Sequence, residues 1–212
     1  MQDTKKVPKS AVSRISLYLR EITRLEKEGK ESVSSTDLGD LTGLTDAQVR
    51  KDLSYFGQFG RSGAGYDVAP LKRAIEGLLG KNKAWEIVIV GAGNIGSAPL
   101  RYPGFKDQGF FIKEAFDIDP KKVDKRFGEL TVKDVRGLEA ALKANKNIKI
   151  AIIAVPADGA QNVADLLVKA GIKCILNFAP VLLKLNSGVL IKNIDLSNEL
   201  ESFSFFLSSQ ET

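Results

Sequence analysis

Four branched apolar residues, Ile87-Val88-Ile89-Val90, run directly into Gly91-Ala92-Gly93-Asn94-Ile95-Gly96. No other stretch limits the possible folds as tightly. The apolar run reads as a strand buried on both faces, and Gly-x-Gly-x-x-Gly at its end reads as the turn into a helix. Each glycine has its own reason. Gly91 makes the turn, Gly93 leaves room for a pyrophosphate against the backbone, and Gly96 lets helix and strand pack closely. The helix N-terminus offers free N–H groups and positive potential to phosphates. Asp117 ends the next apolar run twenty-one residues after Gly96, close to the roughly 20 at which an acidic side chain meets an adenosine ribose. Its charge would repel a 2′-phosphate, which favours NADH and NAD+ over the phosphorylated forms. Lys121 and Lys122 argue the other way, but after Pro120 they read as solvated lysines. Another adenine nucleotide, such as coenzyme A, is the alternative ligand for the same turn.

From about residue 84 apolar runs alternate with helical patterns. The runs fall at 86–90, 111–118, 148–155, 174–178 and 189–194, with Leu138 and Leu142, and Val163, Leu166 and Leu167, at helical spacing between them. That alternation predicts a mainly parallel sheet covered on both faces. Ligands of such sheets lie at the strand carboxyl ends near the point where strand order reverses. Val155, Pro156, Asn177, Phe178 and Pro180 fall there by spacing, as do Tyr102 and Phe105 after the first helix. Most are apolar or aromatic. A pocket of that kind discriminates by charge, because burying the cationic oxidised nicotinamide without a partner is costly while the reduced ring is neutral. Pro99 falls inside the expected helix, which predicts that the helix is short or bent.

Residues 1–80 read as helices. Val12, Ile15, Leu19, Ile22 and Leu25 recur at helical spacing, with Gly29 as a stop. Two short helical patterns follow. Ser35 or Thr36 can cap the first, and Thr45 with Gln48 makes a capping box for the second. Between them, Leu41-Thr42-Gly43-Leu44 is a tight turn with Gly43 where positive φ is cheap. Gly39 is small enough for the two helices to approach. The second helix carries Gln48, Arg50, Lys51, Ser54 and Tyr55. Arginine bonds guanine bidentately and glutamine does so with adenine. The Gly-rich stretch after it, with Arg61 and Tyr66, reads as a hairpin wing reaching for a phosphate or a minor groove. A plain helical dimerisation or lid domain is the alternative.

Composition removes several classes. The chain has no histidine, which takes away the commonest base near neutral pH and the commonest metal ligand. No catalytic set and no metal centre is expected, and a histidine-driven dehydrogenase is excluded. The lone Cys174 reads as a small buried hydrophobe. With no apolar run of membrane length and no apolar leader in MQDTKKVPKS, a cytoplasmic setting is expected. A net charge of +5 permits polyanion binding without demanding it. In the final segment Leu196, Leu200, Phe203 and Leu207 form one apolar stripe, with Phe205 and Phe206 off it. That stripe needs cover from its own domain or from a second subunit.

Taken in order, VPKSAVSRISLYLR, SYFGQFGRSGAGYDV, VGAGNIGSAPLRYPGF, AFDIDP, ILNFAPVLLK and IDLSNELESFSFFL resemble the redox-sensing transcriptional repressor Rex family over essentially the whole chain. The resemblance implies an α/β protein in three parts. These are an N-terminal winged helix (helix-turn-helix plus wing, 1–80), a Rossmann-like parallel sheet domain (81–194) and a C-terminal helix exchanged between subunits of a homodimer (195–212). It implies a repressor that binds palindromic operator DNA when NADH is scarce and leaves it when NADH binds. Gly91 to Gly96 would hold the pyrophosphate, Asp117 the ribose, and Tyr102 would lie by the nicotinamide. Arg50, Lys51 and Arg61 would contact DNA. Arg14 and Asp195 would belong to the contact that changes between the two forms. Pro99 departs from the leucine expected there. Two other readings fit the motifs alone, an NAD-dependent dehydrogenase and a nucleotide-gated regulatory subunit.

Overall fold

The computed structural model describes residues 7–61, 65–185 and 188–210, apart from the side chains of Lys9 and Arg61. The chain divides into two units, Met1–Lys83 and Ala84–Thr212. The division falls three residues beyond the expected one, because Gly80 to Lys83 still belong to the helix end before them. Gly80 N–H donates to Gly77 O at 3.1 Å and Lys81 N–H to Glu76 O at 2.9 Å, with Gly80 at φ +66°.

The first unit runs α1 (Lys9–Lys27), β1 (Ser32–Val33), α2 (Ser35–Thr42), α3 (Asp46–Ser54), β2 (Gly60–Arg61), β3 (Gly65–Asp67) and α4 (Val68–Leu78). The three strands form an antiparallel sheet in the order β1-β3-β2. The β2–β3 hairpin is the wing, and β1 is a third strand that two residues of sequence do not announce. One core joins Ile15, Tyr18, Ile22, Leu38, Leu53 and Leu71, among others. The stripe on α1 differs from the expected one. Val12 is exposed, while Ala11 and Tyr18 are fully buried. The α2 cap is also corrected: it is Ser34, neither Ser35 nor Thr36. Ser34 Oγ accepts from Asp37 N–H at 3.0 Å and Asp37 accepts from Ser34 N–H in return. Thr45 caps α3 by accepting from Gln48 N–H at 3.2 Å, but the Gln48 side chain does not reach back, so the box is half made. Gly43 ends α2 at φ +70°, and a methyl group on Gly39 would lie 2.5 Å from Leu44 O.

The second unit runs β4 (Trp85–Val90), α5 (Asn94–Arg101), α6 (Gly104–Asp107), β5 (Phe110–Asp117), β6 (Arg126–Phe127), β7 (Leu130–Asp134), α7 (Leu138–Ala144), β8 (Ile150–Ile153), α8 (Ala157–Lys169), β9 (Cys174–Asn177), β10 (Leu190–Asn193) and α9 (Leu196–Ser208). The sheet order is β10-β9-β8-β4-β5-β7-β6, parallel except for the β6–β7 hairpin. Leaving out β6, this is the doubly wound order 3-2-1-4-5-6, and strand order reverses between β4 and β8. Residues of β4 and β8 make a core with α7 and α8, including Val88, Val90, Leu142, Ile153 and Leu167. The connection from β5 to β7 holds a turn and the hairpin where a crossover helix is usual. α5 is short, with Pro99 inside it, and ends at Tyr102.

Candidate dinucleotide site and nucleic-acid interface

The reversal point carries the glycine loop. β4 ends at Val90, whose carbonyl accepts from Ala154 N–H at 2.8 Å, while Gly91 N–H donates to Phe116 O at 2.8 Å. The loop is thus tied to β8 on one side and β5 on the other. Gly91 has φ +98°, and a methyl group on Gly96 would collide with Gly91 O. Gly93 differs: a methyl group there would meet only Lys122 Nζ, at 3.9 Å. Two glycines are required by the protein's own backbone, and the third faces open space at the N-terminus of α5. That opening is where a phosphate would come against helix N–H groups. The structure therefore predicts opposite outcomes for two alanine substitutions. Gly93→Ala should leave the thermal unfolding temperature unchanged while weakening dinucleotide binding at least roughly tenfold, about 1.4 kcal/mol. Gly96→Ala should lower that temperature clearly.

Asp117 ends β5 and is buried. Its Oδ2 accepts from Ala92 N–H at 2.7 Å and from Lys122 Nζ at 3.3 Å, and its Oδ1 accepts from Asp119 N–H at 2.9 Å. Burial by itself would push this carboxyl up. The N–H bonds from Asp119 and Ala92, together with the Lys122 ammonium, hold it below the usual carboxylate range. Asp117 therefore braces the glycine loop through Oδ2, and Oδ1, with one donor, keeps a lone pair for a ribose hydroxyl. The solvated reading of Lys122 is corrected, because its ammonium sits on Asp117 and within 3.9 Å of Asp119. The next side chain along, Ile118, is 80% exposed.

The remaining expected residues scatter. Asn94 and Ile95 open α5 and are exposed, and Ala92 is buried. Val155 and Phe178 are half-buried at the ends of β8 and β9, Phe178 packing against a core of Ile87, Ile89 and Ile152. Pro156 is exposed. Tyr102 is 54% exposed, its ring edge-on to Phe105 at 5.1 Å. Asn177 is structural: its Nδ2 donates to Val181 O and Asn193 Oδ1, both at 2.9 Å, which holds the loop after β9 against β10. A separate groove lies where the crossover helix is missing, with Phe110 and Ile112 on its floor and Arg101, Lys106, Lys113 and Arg126 on its rim.

In the first unit, α3 is organised by a residue that the sequence did not single out. Asp52, on α3, is fully buried. Arg14 of α1 donates to it twice, at 2.5 and 2.8 Å, and Tyr18 Oη donates at 2.8 Å. Gln48 Nε2 donates to it at 2.8 Å. Burial would push the Asp52 carboxyl up, and the bonds from Arg14, Tyr18 and Gln48 more than offset it, leaving it lowered. Burial and the bond to Asp52 push the Tyr18 hydroxyl up. Arg14, expected at the contact that changes between the two forms, and Gln48, expected at DNA, meet at this carboxylate. Gln48 directs one amide N–H to Asp52 and keeps its other N–H and its Oε1. Arg14 is engaged within its own unit, and Asp195 accepts from Ser197 N–H at 3.0 Å as the cap of α9. Arg50 is exposed, but its guanidinium bonds Asp46 at 2.6 Å and Ser35 at 3.1 Å. Lys51 and Ser54 are exposed and Tyr55 half-buried, while the Arg61 side chain lies outside the described residues. The signal for Asp52 was its place: it sits between Val49 and Leu53 on the buried face of the helix.

Known proteins agree with both halves. Residues 6–54 match a family described as a putative DNA-binding protein N-terminus, and residues 82–181 match one described as a CoA binding domain. A redox-sensing transcriptional repressor Rex from Desulforamulus reducens is 45% identical over 97% of this chain and 98% of its own length. The chain belongs to the Rex family. The Rex of Carboxydothermus hydrogenoformans is 46% identical over 94% of this chain and 96% of its own. Among solved structures, a Rex-family repressor, RSP, in complex with beta-NAD+ and operator DNA superposes with a TM-score of 0.93. It is 38% identical, covering 98% of this chain and 95% of that one. The same repressor in complex with beta-NADH gives 0.87 at 36% identity, covering 98% and 97%. Family membership sets aside the dehydrogenase and channel-subunit readings, and Rex proteins are repressors. Among the described residues no helix is long and apolar enough to cross a membrane.

Proposed function

We propose that this chain represses transcription as a homodimer that grips operator DNA with α3 and the β2–β3 wing and lets go when NADH fills the crevice at the β4–β8 reversal. What carries the reading is the open space over Gly93, beside a buried, ionised Asp117, on a chain whose full length matches a repressor solved with both operator DNA and NAD+. Gly91 to Gly96 and Lys122 suit the pyrophosphate side, Asp117 the ribose, and Val155, Pro156, Phe178 and Tyr102 the nicotinamide side. Lys51, Ser54, Tyr55, Arg50 and the wing suit the phosphates and base edges of a major groove, and Gln48 keeps one amide N–H and its Oε1 for a base edge.

The dimer is supported by α9. Leu196, Leu200, Phe203, Phe205, Phe206 and Leu207 are all 59–77% exposed on one helix, and that helix carries Glu199 and Glu201 with no lysine or arginine. A second copy supplies matching cover in the apolar groove rimmed by Arg101, Lys106, Lys113 and Arg126. Two recognition helices then meet successive turns of a palindrome.

Moving such a dimer from mostly bound to mostly free takes about 5.5 kcal/mol of differential affinity, which two cofactor sites share. Titrating the protein onto a fluorescent palindromic operator tests this. The complex should form without cofactor and with NAD+, and should dissociate as NADH replaces NAD+ at constant total nucleotide. Equal occupancy at every ratio of the two overturns the reading.

A further inference from the structure

Lys122 stands over the one part of the glycine loop that the protein leaves open. Its ammonium lies 3.3 Å from Asp117 Oδ2, 3.9 Å from Asp119 Oδ2, and 3.9 Å from the position a methyl group would take on Gly93. One ammonium therefore borders both the carboxylate suited to the adenosine ribose and the space suited to the pyrophosphate. An ammonium has three donors; one is directed to Asp117, and Asp119 at 3.9 Å is beyond hydrogen-bond reach, which leaves donors to turn into the crevice. The position is fixed locally. Asp119 O accepts from Lys122 N–H at 2.8 Å and from Val123 N–H at 3.2 Å, a turn that brings residue 122 back over β5.

We propose that Lys122 sets how strictly NADH is preferred over NADPH. The proposal rests on the cofactor reading above and deepens it. A bare buried carboxylate would repel a 2′-phosphate strongly. With Lys122 paired to it, the charge facing that phosphate is close to neutral, and a second donor is at hand for the phosphate itself. Asp117 selects against phosphorylated cofactor and Lys122 relaxes the selection. Lys121, exposed beside it, has its backbone N–H bonded to Asp119 Oδ1 at 2.9 Å and no ion pair among the described residues, so it serves as the control.

The experiment is a fluorescence titration of NADH, with NADPH measured by competition, on the full chain and on Lys122→Gln, Lys122→Arg and Lys121→Gln. Removing the half-screened ammonium that stands 3.3 Å from Asp117 Oδ2 leaves the carboxylate's repulsion uncompensated and should raise the ratio of NADPH to NADH dissociation constants roughly tenfold in K122Q. The ratio should stay within about twofold of the parent in K122R and K121Q, and the K122Q effect should shrink as salt is raised. A purely structural role for Lys122 would weaken both cofactors together and leave the ratio fixed. NADH binding by K122Q with an unmoved ratio overturns the proposal and leaves the cofactor reading intact. Failure of the parent chain to bind either dinucleotide overturns both.

Discussion

Ending the chain at Ile194 should turn a dimer into a monomer and lower operator affinity by roughly 10²–10⁴, the range in which a second linked binding module acts. The deletion removes α9 and leaves β10 whole. β10 pairs with β9 from Leu190 to Asn193, and Ile194 N–H donates to Asn177 O at 2.8 Å. The sheet loses nothing, because no residue of α9 is buried in a single chain. Sedimentation gives the oligomeric state and anisotropy gives the affinity. Phe203→Asp with Phe206→Asp should do the same without shortening the chain, by placing two carboxylates where apolar contact is required. A truncated chain that stays dimeric and binds the palindrome as before would remove α9 from the assembly.

Arg14→Ala should cost the first unit about 3–5 kcal/mol, the penalty for leaving a buried charge without its partner. That is a large share of the total stability of a small domain, about 5–15 kcal/mol. The pH dependence gives the cause away. In the parent the Asp52 carboxyl is lowered, so its contribution is present above the unfolded value near 4 and is lost as pH falls through the folded value. Without Arg14, burial dominates and the carboxyl rises above its unfolded value. The variant should then gain stability as pH drops towards 5, where the parent stays level. Chemical denaturation of both proteins between pH 4 and 8 checks the sign. Arg14→Lys restores charge but loses the two-pronged contact, and should recover only part of the loss.

The legible parts of this chain were those where one residue type answers one backbone demand. Gly43 at φ +70° ends α2, and Gly91 and Gly96 shape the loop where only glycine fits. Apolar runs marked five of the parallel strands: the central ones, β4 and β8, are buried on both faces and show no polar alternation, while the exposed edge strand β10 was marked by its run alone. What was missed depends on partners far along the chain. Asp52 reads as one more surface carboxylate on a helix until Arg14, thirty-eight residues earlier, is folded against it. Lys122 reads as solvated until the turn at Asp119 lays it over Asp117. β7 is short and mixed, Leu130 to Asp134, and its partner β6 has two residues, so neither carries a pattern. Ser34, Ser35 and Thr36 can each cap a helix, and only Asp37, three residues after Ser34, decides among them.

Arg50 comes to its task already tethered, its guanidinium on Asp46 and Ser35. An exposed pair of that kind is worth about 0.5 kcal/mol, roughly a factor of two. If α3 enters a major groove as proposed, the arm must let go of its own carboxylate before it can seize a guanine. On the proposed reading, a base that offers less in return leaves it sheathed, a small bias of each contact against unrelated duplex.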